Sequence, residues 1–301
     1  MACSEQGKTI ALTMSDEMAE VTKSSGEKVQ FSKDKLRASL LRSGADEHTV
    51  AQIMNRVRDD LYQGIPTREI YNRAFAMLKK KKRHFAARYS LKKAIYDLGP
   101  TGFPFEQFVG ALMSEMGYRV DVGIEVPGAC VSHEVDVMAY KGKTVTLVEC
   151  KFHGEATLYC NVKVPLYIHS RFNDIKAHWN SAHRKSKASL QPGWVVTNTR
   201  FSEDAQQYGT CVGLYLMGWD SPDGASLKAR IDALGLYPIT VSTLLTKSEK
   251  QQLLDRQIVL CKQLIARSDV LEKLGISENR SPKIIAELSD LCTITSNERK
   301  S

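Results

Sequence analysis

Residues 133–151, His133-Glu-Val-Asp-Val-Met-Ala-Tyr-Lys-Gly-Lys-Thr-Val-Thr-Leu-Val-Glu-Cys-Lys151, place three charged groups inside two runs that otherwise read as buried strands. Burial of that kind is costly unless something compensates it. The runs, rich in Val, Leu, Thr and Tyr, flank Lys141-Gly142-Lys143, a short loop containing Gly, so an antiparallel hairpin is expected. If Gly142 and Lys143 form a two-residue loop, Asp136 falls opposite Glu149, and like charges directly opposite one another destabilise a sheet. Side chains alternate along a strand, so Glu149 and Lys151 share a face, and Asp136 joins them in that register. Two carboxylates and an ammonium then converge on one spot. A hard divalent cation such as Mg²⁺, or Mn²⁺ in its place, takes oxygen ligands and keeps several waters, which suits Asp136 and Glu149 as metal ligands. The ion would relieve the repulsion, while Lys151 positions a water or stabilises developing negative charge. The competing reading is a surface hairpin in which Lys151 pairs with a neighbouring acid; the apolar neighbours of both acids weigh against it.

The order Asp136, then Glu149-x-Lys151, resembles the Asp…Glu-x-Lys signature of the restriction-endonuclease-like nucleases, in their Mrr-like branch. The setting adds to the match: a strand hairpin, an upstream helix opening at Gly102-Phe-Pro-Phe-Glu106, and His133-Glu-Val-Asp136 leading into the first acid. The resemblance implies an α/β fold with a restriction-endonuclease-like mixed-sheet core. It also implies metal-dependent endonucleolytic hydrolysis of phosphodiester bonds in DNA, with Asp136, Glu149 and Lys151 as catalytic residues. An acid at the position of Glu106 can reach the metal in such nucleases, which makes Glu106 a further catalytic candidate. It reads equally as a first-turn acid favoured by the helix dipole. Downstream, Tyr167-Ile-His-Ser-Arg171-Phe-x-Asp174-Ile175 continues the likeness, and His169 or Arg171 could hold a phosphate or be paired with Asp174 or a backbone carbonyl. Strand-like runs at 194–197 and 214–217, separated by a helix starting near Ser202, imply a parallel crossover.

A second resemblance lies upstream. Val21-x-Lys23-x-x-Gly26, Phe31-Ser-x-x-Lys35-Leu and Gly64-Ile-x-Thr67-x-x-Ile70 resemble the ATP-cone, a small α+β nucleotide-binding module that caps ribonucleotide reductases and the NrdR repressor. Two short strands around a Gly turn precede a helix capped by Ser32; a second helix spans about 46–62, and a third starts at Thr67, itself expected as its N-cap. A turn, a helix N-terminus and the ammonium groups of Lys23 and Lys35 can together hold phosphates. The family likeness carries ATP or dATP, as a regulatory ligand, to Val21, Lys23, Lys35 and Thr67. The basic run Lys79–His84 ends the third helix, and a further amphipathic helix is expected over 85–96.

The organisation expected from these patterns is a flexible tail (1–18), an ATP-cone (19–97), a nuclease domain (98–222) and a helical C-terminal domain (223–301). Within the last, Leu271-x-x-Leu-Gly-Ile276 reads either as one turn of a helix-hairpin-helix DNA binder or as part of a packing or dimerisation module. The chain of 301 residues carries 42 Lys and Arg against 34 Asp and Glu, a balance of +8 that favours polyanions, DNA first among them. Its seven cysteines are scattered without a C-x-x-C pair, which argues for reduced thiols. A zinc site from His133, Cys150, His153 and Cys160 has no familiar ligand spacing. No stretch approaches the apolar length of a membrane span, and the N-terminus has no basic segment followed by an apolar run, so the expected location is the cytoplasm. The function so expected is a metal-dependent DNA endonuclease tuned by nucleotide. The alternatives are a nucleotide-sensing DNA-binding regulator with a non-catalytic nuclease fold, and an oligomerisation protein assembling through the cone or the C-terminal helices.

Overall fold

The computed structural model describes residues 19–23, 25–182 and 188–293, so the tail expected over 1–18 lies outside the described residues. The chain forms two compact units, divided between Tyr89 and Ser90.

The first unit contains β1 (Glu20–Thr22), β2 (Lys28–Gln30), α1 (Lys33–Arg42), α2 (Glu47–Asp59), β3 (Ile65–Pro66), α3 (Thr67–Lys81) and α4 (Arg83–Tyr89). Its small sheet has the order β2-β1-β3, antiparallel on one side of β1 and parallel on the other. Val21, Ile65, Leu36, Leu40, Ile53, Val57, Ile70 and Leu78 make its core. Ser32 caps α1 by accepting the Lys35 amide, as its position in sequence predicts. Thr67 does not cap α3: Pro66 occupies that place without a side-chain bond, and Thr67 is the first helical residue. The basic run straddles the break between α3 and α4 and is exposed over 79–83. The single helix expected over 85–96 is instead two, α4 and α5 (Leu91–Tyr96), parted at Ser90.

In the second unit α5 and α6 (Phe103–Glu115) precede β4 (Arg119–Pro127), β5 (Ser132–Lys141) and β6 (Thr144–Lys151). Then come α7 (Lys163–Ala182), β7 (Ser189–Leu190), β8 (Trp194–Thr197), α8 (Glu203–Cys211) and β9 (Tyr215–Met217). The mixed sheet runs β4-β5-β6-β8-β9, with β7 added beside β6; β4, β5 and β6 are antiparallel neighbours, and β8 and β9 continue in parallel. The parallel crossover read from sequence is present, its helix capped by Ser202. Leu147, Met138 and Val195 pack with Ile168 and Phe172 of α7. Val137, the neighbour of Met138 on the other face, lies beside Gly110 of α6, where an added Cβ would stand 2.7 Å from Val122. The sheet is thus covered on both sides around the hairpin.

Six short helical segments follow: α9 (Leu227–Leu234), a 3₁₀ turn (Ile239–Val241), α10 (Lys247–Asp255), α11 (Cys261–Ala266), α12 (Asp269–Lys273) and α13 (Ser281–Cys292). Glu287 of α13, 4% exposed, accepts bonds from Ser242 Oγ at 2.6 Å and from the Thr243 amide and hydroxyl, which ties the two ends of this region together. The Leu271–Ile276 turn is a helix stop. Gly275, at φ +72°, lets the Ile276 amide return to the Leu271 carbonyl, and Leu271 and Ile276 are both buried. No helix of the described residues is long and apolar enough to cross a membrane.

Candidate active site

The hairpin has the register expected from its loop. Lys141 pairs with Thr144, and the ladder runs back to Val137 opposite Val148. There it stops. Asp136 and Glu149 are the next pair but share no backbone ladder, and on the other side of β5 the residue opposite Asp136, Gly123, drops out of the β4 ladder with φ +64°. β5 therefore kinks at Asp136, the type of irregularity that re-aims a side chain. Val135 and Met138 accordingly join one core cluster, although strict alternation would put them on opposite faces.

Past the kink, side chains replace the ladder. The Cys150 amide donates to Asp136 Oδ2 at 2.6 Å. Glu149 is 3% exposed and carries two cations: Lys151 Nζ at 2.5 Å from Oε1 and Arg171 Nη1 at 2.9 Å from Oε2. Arg171, projecting from α7, also donates through Nη2 to the Glu134 carbonyl, so it bridges β6 to β5. Burial and then the facing charge of Glu149 push Asp136 up to about 7, against the restraint of the Cys150 bond. Half-buried Glu106, in the first turn of α6, is raised by burial and by the charges of Glu134 and Glu149, so it is part of the same electrostatic cluster. Burial works against the Lys151 ammonium, but Glu149 and Asp136 outweigh it and leave its pKa raised. Lys151 is thus a fixed cation beside two acids.

The strand that carries Lys151 is anchored from β8. Thr197 Oγ1 donates to the Lys151 carbonyl at 2.7 Å, and fully buried Asn198 both accepts from the His153 amide and donates to its carbonyl, each at 2.8 Å. Sequence reasoning missed Thr197 and Asn198, although they end the strand parallel to β6, where such anchors belong. Arg171 was legible as a cation near the site, but its partner is Glu149. Asp174 instead binds His133 at 2.8 Å and the Cys130 and Val131 amides, which hold its pKa down to about 2. His169 bonds the Tyr208 hydroxyl at 2.8 Å.

A hard divalent ion fits the donors present. Asp136 and Glu149 both offer carboxylate oxygens, and a cation between them would offset the burial and the facing charge that raise Asp136. Among the described residues no group of three or more His, Cys, Asp or Glu is placed to hold a metal, so an ion held by the two carboxylates would have to keep several waters. The zinc quartet does not assemble either; His153 simply lies 3.4 Å from the Cys160 sulfur.

In the first unit, Val21 is buried in the core, so its side chain is committed to packing. Lys23 closes the β1–β2 turn, pairing with Glu27 at 3.0 Å, and the Lys23 and Gly26 amides are used within the turn itself. Lys35 is exposed one turn into α1, and Thr67 opens α3 immediately after β3, the parallel neighbour of β1. Lys23 and Thr67 are therefore brought to adjacent strand ends.

Residues 19–98 match the ATP-cone domain family, and residues 237–292 match the family described as AF1548-like, C-terminal. An uncharacterised protein of Archaeoglobus fulgidus is 33% identical over 177 residues, covering 58% of this chain and 95% of the relative. The crystal structure of the protein of unknown function AF1548 aligns at 29% identity over 64% of this chain and 98% of that chain, with a TM-score of 0.52. The DNA modification-dependent restriction endonuclease AspBHI aligns at 16% identity over 56% of this chain and 38% of that one; its TM-score of 0.33 is too slight a likeness to bear on function.

Proposed function

We propose that this chain, which belongs to the family of the uncharacterised Archaeoglobus fulgidus protein, is a metal-dependent DNA endonuclease whose activity is set by ATP or dATP on its N-terminal cone. The observation that carries the reading is the pair Asp136 and Glu149, face to face where the hairpin ladder ends, with Lys151 alongside. Asp136 and Glu149 would hold Mg²⁺ or Mn²⁺, and the bound ion would supply charge stabilisation at the phosphate. Lys151, kept protonated by its acidic neighbours, donates to a phosphoryl oxygen as negative charge builds there. Thr197 and Asn198 fix the backbone from which it projects. Water attacks phosphorus and releases a proton to solvent, the ester P–O bond breaks, and the departing oxygen takes up a proton from solvent. Glu106 adds negative charge at the edge of the site. Lys23, Lys35 and Thr67 are the proposed phosphate contacts of the cone, the cytoplasm is the proposed location, and the +8 balance suits a DNA substrate.

Supercoiled plasmid incubated with Mg²⁺ or Mn²⁺, with and without ATP or dATP, should become nicked or linear. Lys151→Met should lower that rate by at least about a hundredfold with the fold retained. Equal rates for wild type and Lys151→Met, or no cleavage with either ion in any nucleotide state, would sink the proposal. One observation favours a second reading, a nucleotide-sensing DNA-binding regulator: each Glu149 oxygen is already engaged by a cation, Lys151 on one and Arg171 on the other. That reading predicts DNA binding without turnover in the same assay.

A further inference from the structure

The loop that leaves the Lys151 end of β6 forms one wall of a cavity of about 750 Å³ in the second unit. Phe152, the residue after Lys151, lines it together with Lys93 and Tyr96 of α5 and Lys247 and Lys250 of α10. Asp97 is the one carboxylate in the lining, so three ammonium groups face one negative charge, a net of two positive charges. Part of that charge is already engaged: Lys93 pairs with Asp97 at 2.6 Å, and Lys250 donates to the Thr240 carbonyl at 2.6 Å. Lys247 is exposed and takes part in no ion pair among the described residues. The Tyr96 hydroxyl is buried and has no hydrogen-bond partner among the described residues, so it lies behind the wall and not on its face. The volume is that of a small-molecule or nucleotide site, and the combination of ring surface with surplus positive charge is that of a phosphate ester carrying a base.

Resting on the nuclease reading of the neighbouring carboxylates, we propose that this cavity seats a phosphate of the nucleic-acid strand engaged at Asp136, Glu149 and Lys151. Lys93, Lys247 and Lys250 form its cationic wall, and Phe152 offers a ring to the adjoining base. Proximity favours a strand over a free nucleotide: Phe152 directly follows Lys151 where β6 ends, so their Cα atoms stand about 3.8 Å apart. The proposal also gives the C-terminal helical region a task, since α10 lies within the AF1548-like segment and supplies two of the three lysines.

Anisotropy of a labelled short single-stranded oligonucleotide with the full chain, in EDTA and without ATP, tests this. Lys93 and Lys247 are both exposed, so the double variant Lys93→Gln/Lys247→Gln removes charge without disturbing the core. Its affinity should fall about tenfold, and its salt slope should drop by about 1.4 relative to wild type. Lys273→Gln, an exposed lysine outside the lining, should change neither. Unchanged affinity and slope in the double variant would overturn the proposal, as would lysine-dependent binding of adenosine monophosphate with lysine-independent binding of the oligonucleotide. Lysine-dependent oligonucleotide binding by a protein that cleaves no DNA with Mg²⁺ or Mn²⁺ would support the cavity and overturn the nuclease reading. Cleavage with lysine-independent binding would do the reverse.

Discussion

Asp136→Asn is expected to lower metal-dependent cleavage by at least about a thousandfold and to make the metal-free protein more stable at pH 8. The two effects share one cause. In the folded protein Asp136 titrates at about 7, against an ordinary value of 3.8, because it is buried and faces Glu149. Its pKa is raised on folding, so the folded state binds the proton more tightly than the unfolded state. Stability falls as pH rises from about 4 to about 7, and the full penalty is present above that. The difference of about three pH units corresponds to a penalty on the order of 4 kcal/mol as an upper figure. Asn carries no charge, and its amide oxygen can still accept the Cys150 N–H. Urea melts in EDTA should therefore show the variant more stable than wild type at pH 8, with the gap closing by about pH 4. Mg²⁺ or Mn²⁺ should raise the wild-type midpoint and leave that of the variant nearly unmoved. A variant less stable than wild type at pH 8 would refute the account of Asp136 as an unrelieved charge.

Arg171→Ala should produce the largest loss of stability among the site residues, about 3–5 kcal/mol at pH 7. Arg171 is largely buried, and it holds Glu149 with one nitrogen and the Glu134 carbonyl with another. Without it, Glu149 keeps Lys151 alone, and β5 loses a tie to β6. Arg171→Lys should recover only part of the loss, because a single ammonium lacks the planar fork that reaches both oxygens. The measurement is the denaturation midpoint of Arg171→Ala, Glu149→Gln and the double variant, whose coupling isolates the pair. A midpoint for Arg171→Ala equal to wild type would dispose of the bridging role.

The hairpin register was legible because a two-residue Gly loop and alternating side chains leave few ways to align Asp136 with Glu149. The crossover from β8 to β9 was legible for a similar reason, a capped helix between two short apolar runs. The kink at Asp136 was not: it depends on Gly123, thirteen residues upstream, and a positive φ leaves no trace in periodicity. For Arg171 the backbone-carbonyl partner was foreseen and is Glu134, whereas the ion pair with Glu149 in place of Asp174 was not, because the turn of a helix over a sheet decides which acid it meets. Thr67 looked like a helix cap, yet Pro66 took that place with its fixed φ. The short strands β3 and β7 carry two residues each, too few for any pattern to announce them.

The parting of β5 from β6 beyond Val137 and Val148 has a mechanical consequence for ion choice. The two carboxylates stand on separate arms of a fork, tied among the described residues by the Asp136 bond to Cys150 and by Arg171. A ladder would fix their separation, whereas a fork lets it yield. Oxygen distances of about 2.0–2.1 Å for Mg²⁺ and 2.3–2.6 Å for Ca²⁺ set the difference that such a site would have to resolve. If the proposed ion binds between these carboxylates, discrimination by radius would come from the stiffness of those ties, and the residues that select the ion would not be confined to the ones that touch it.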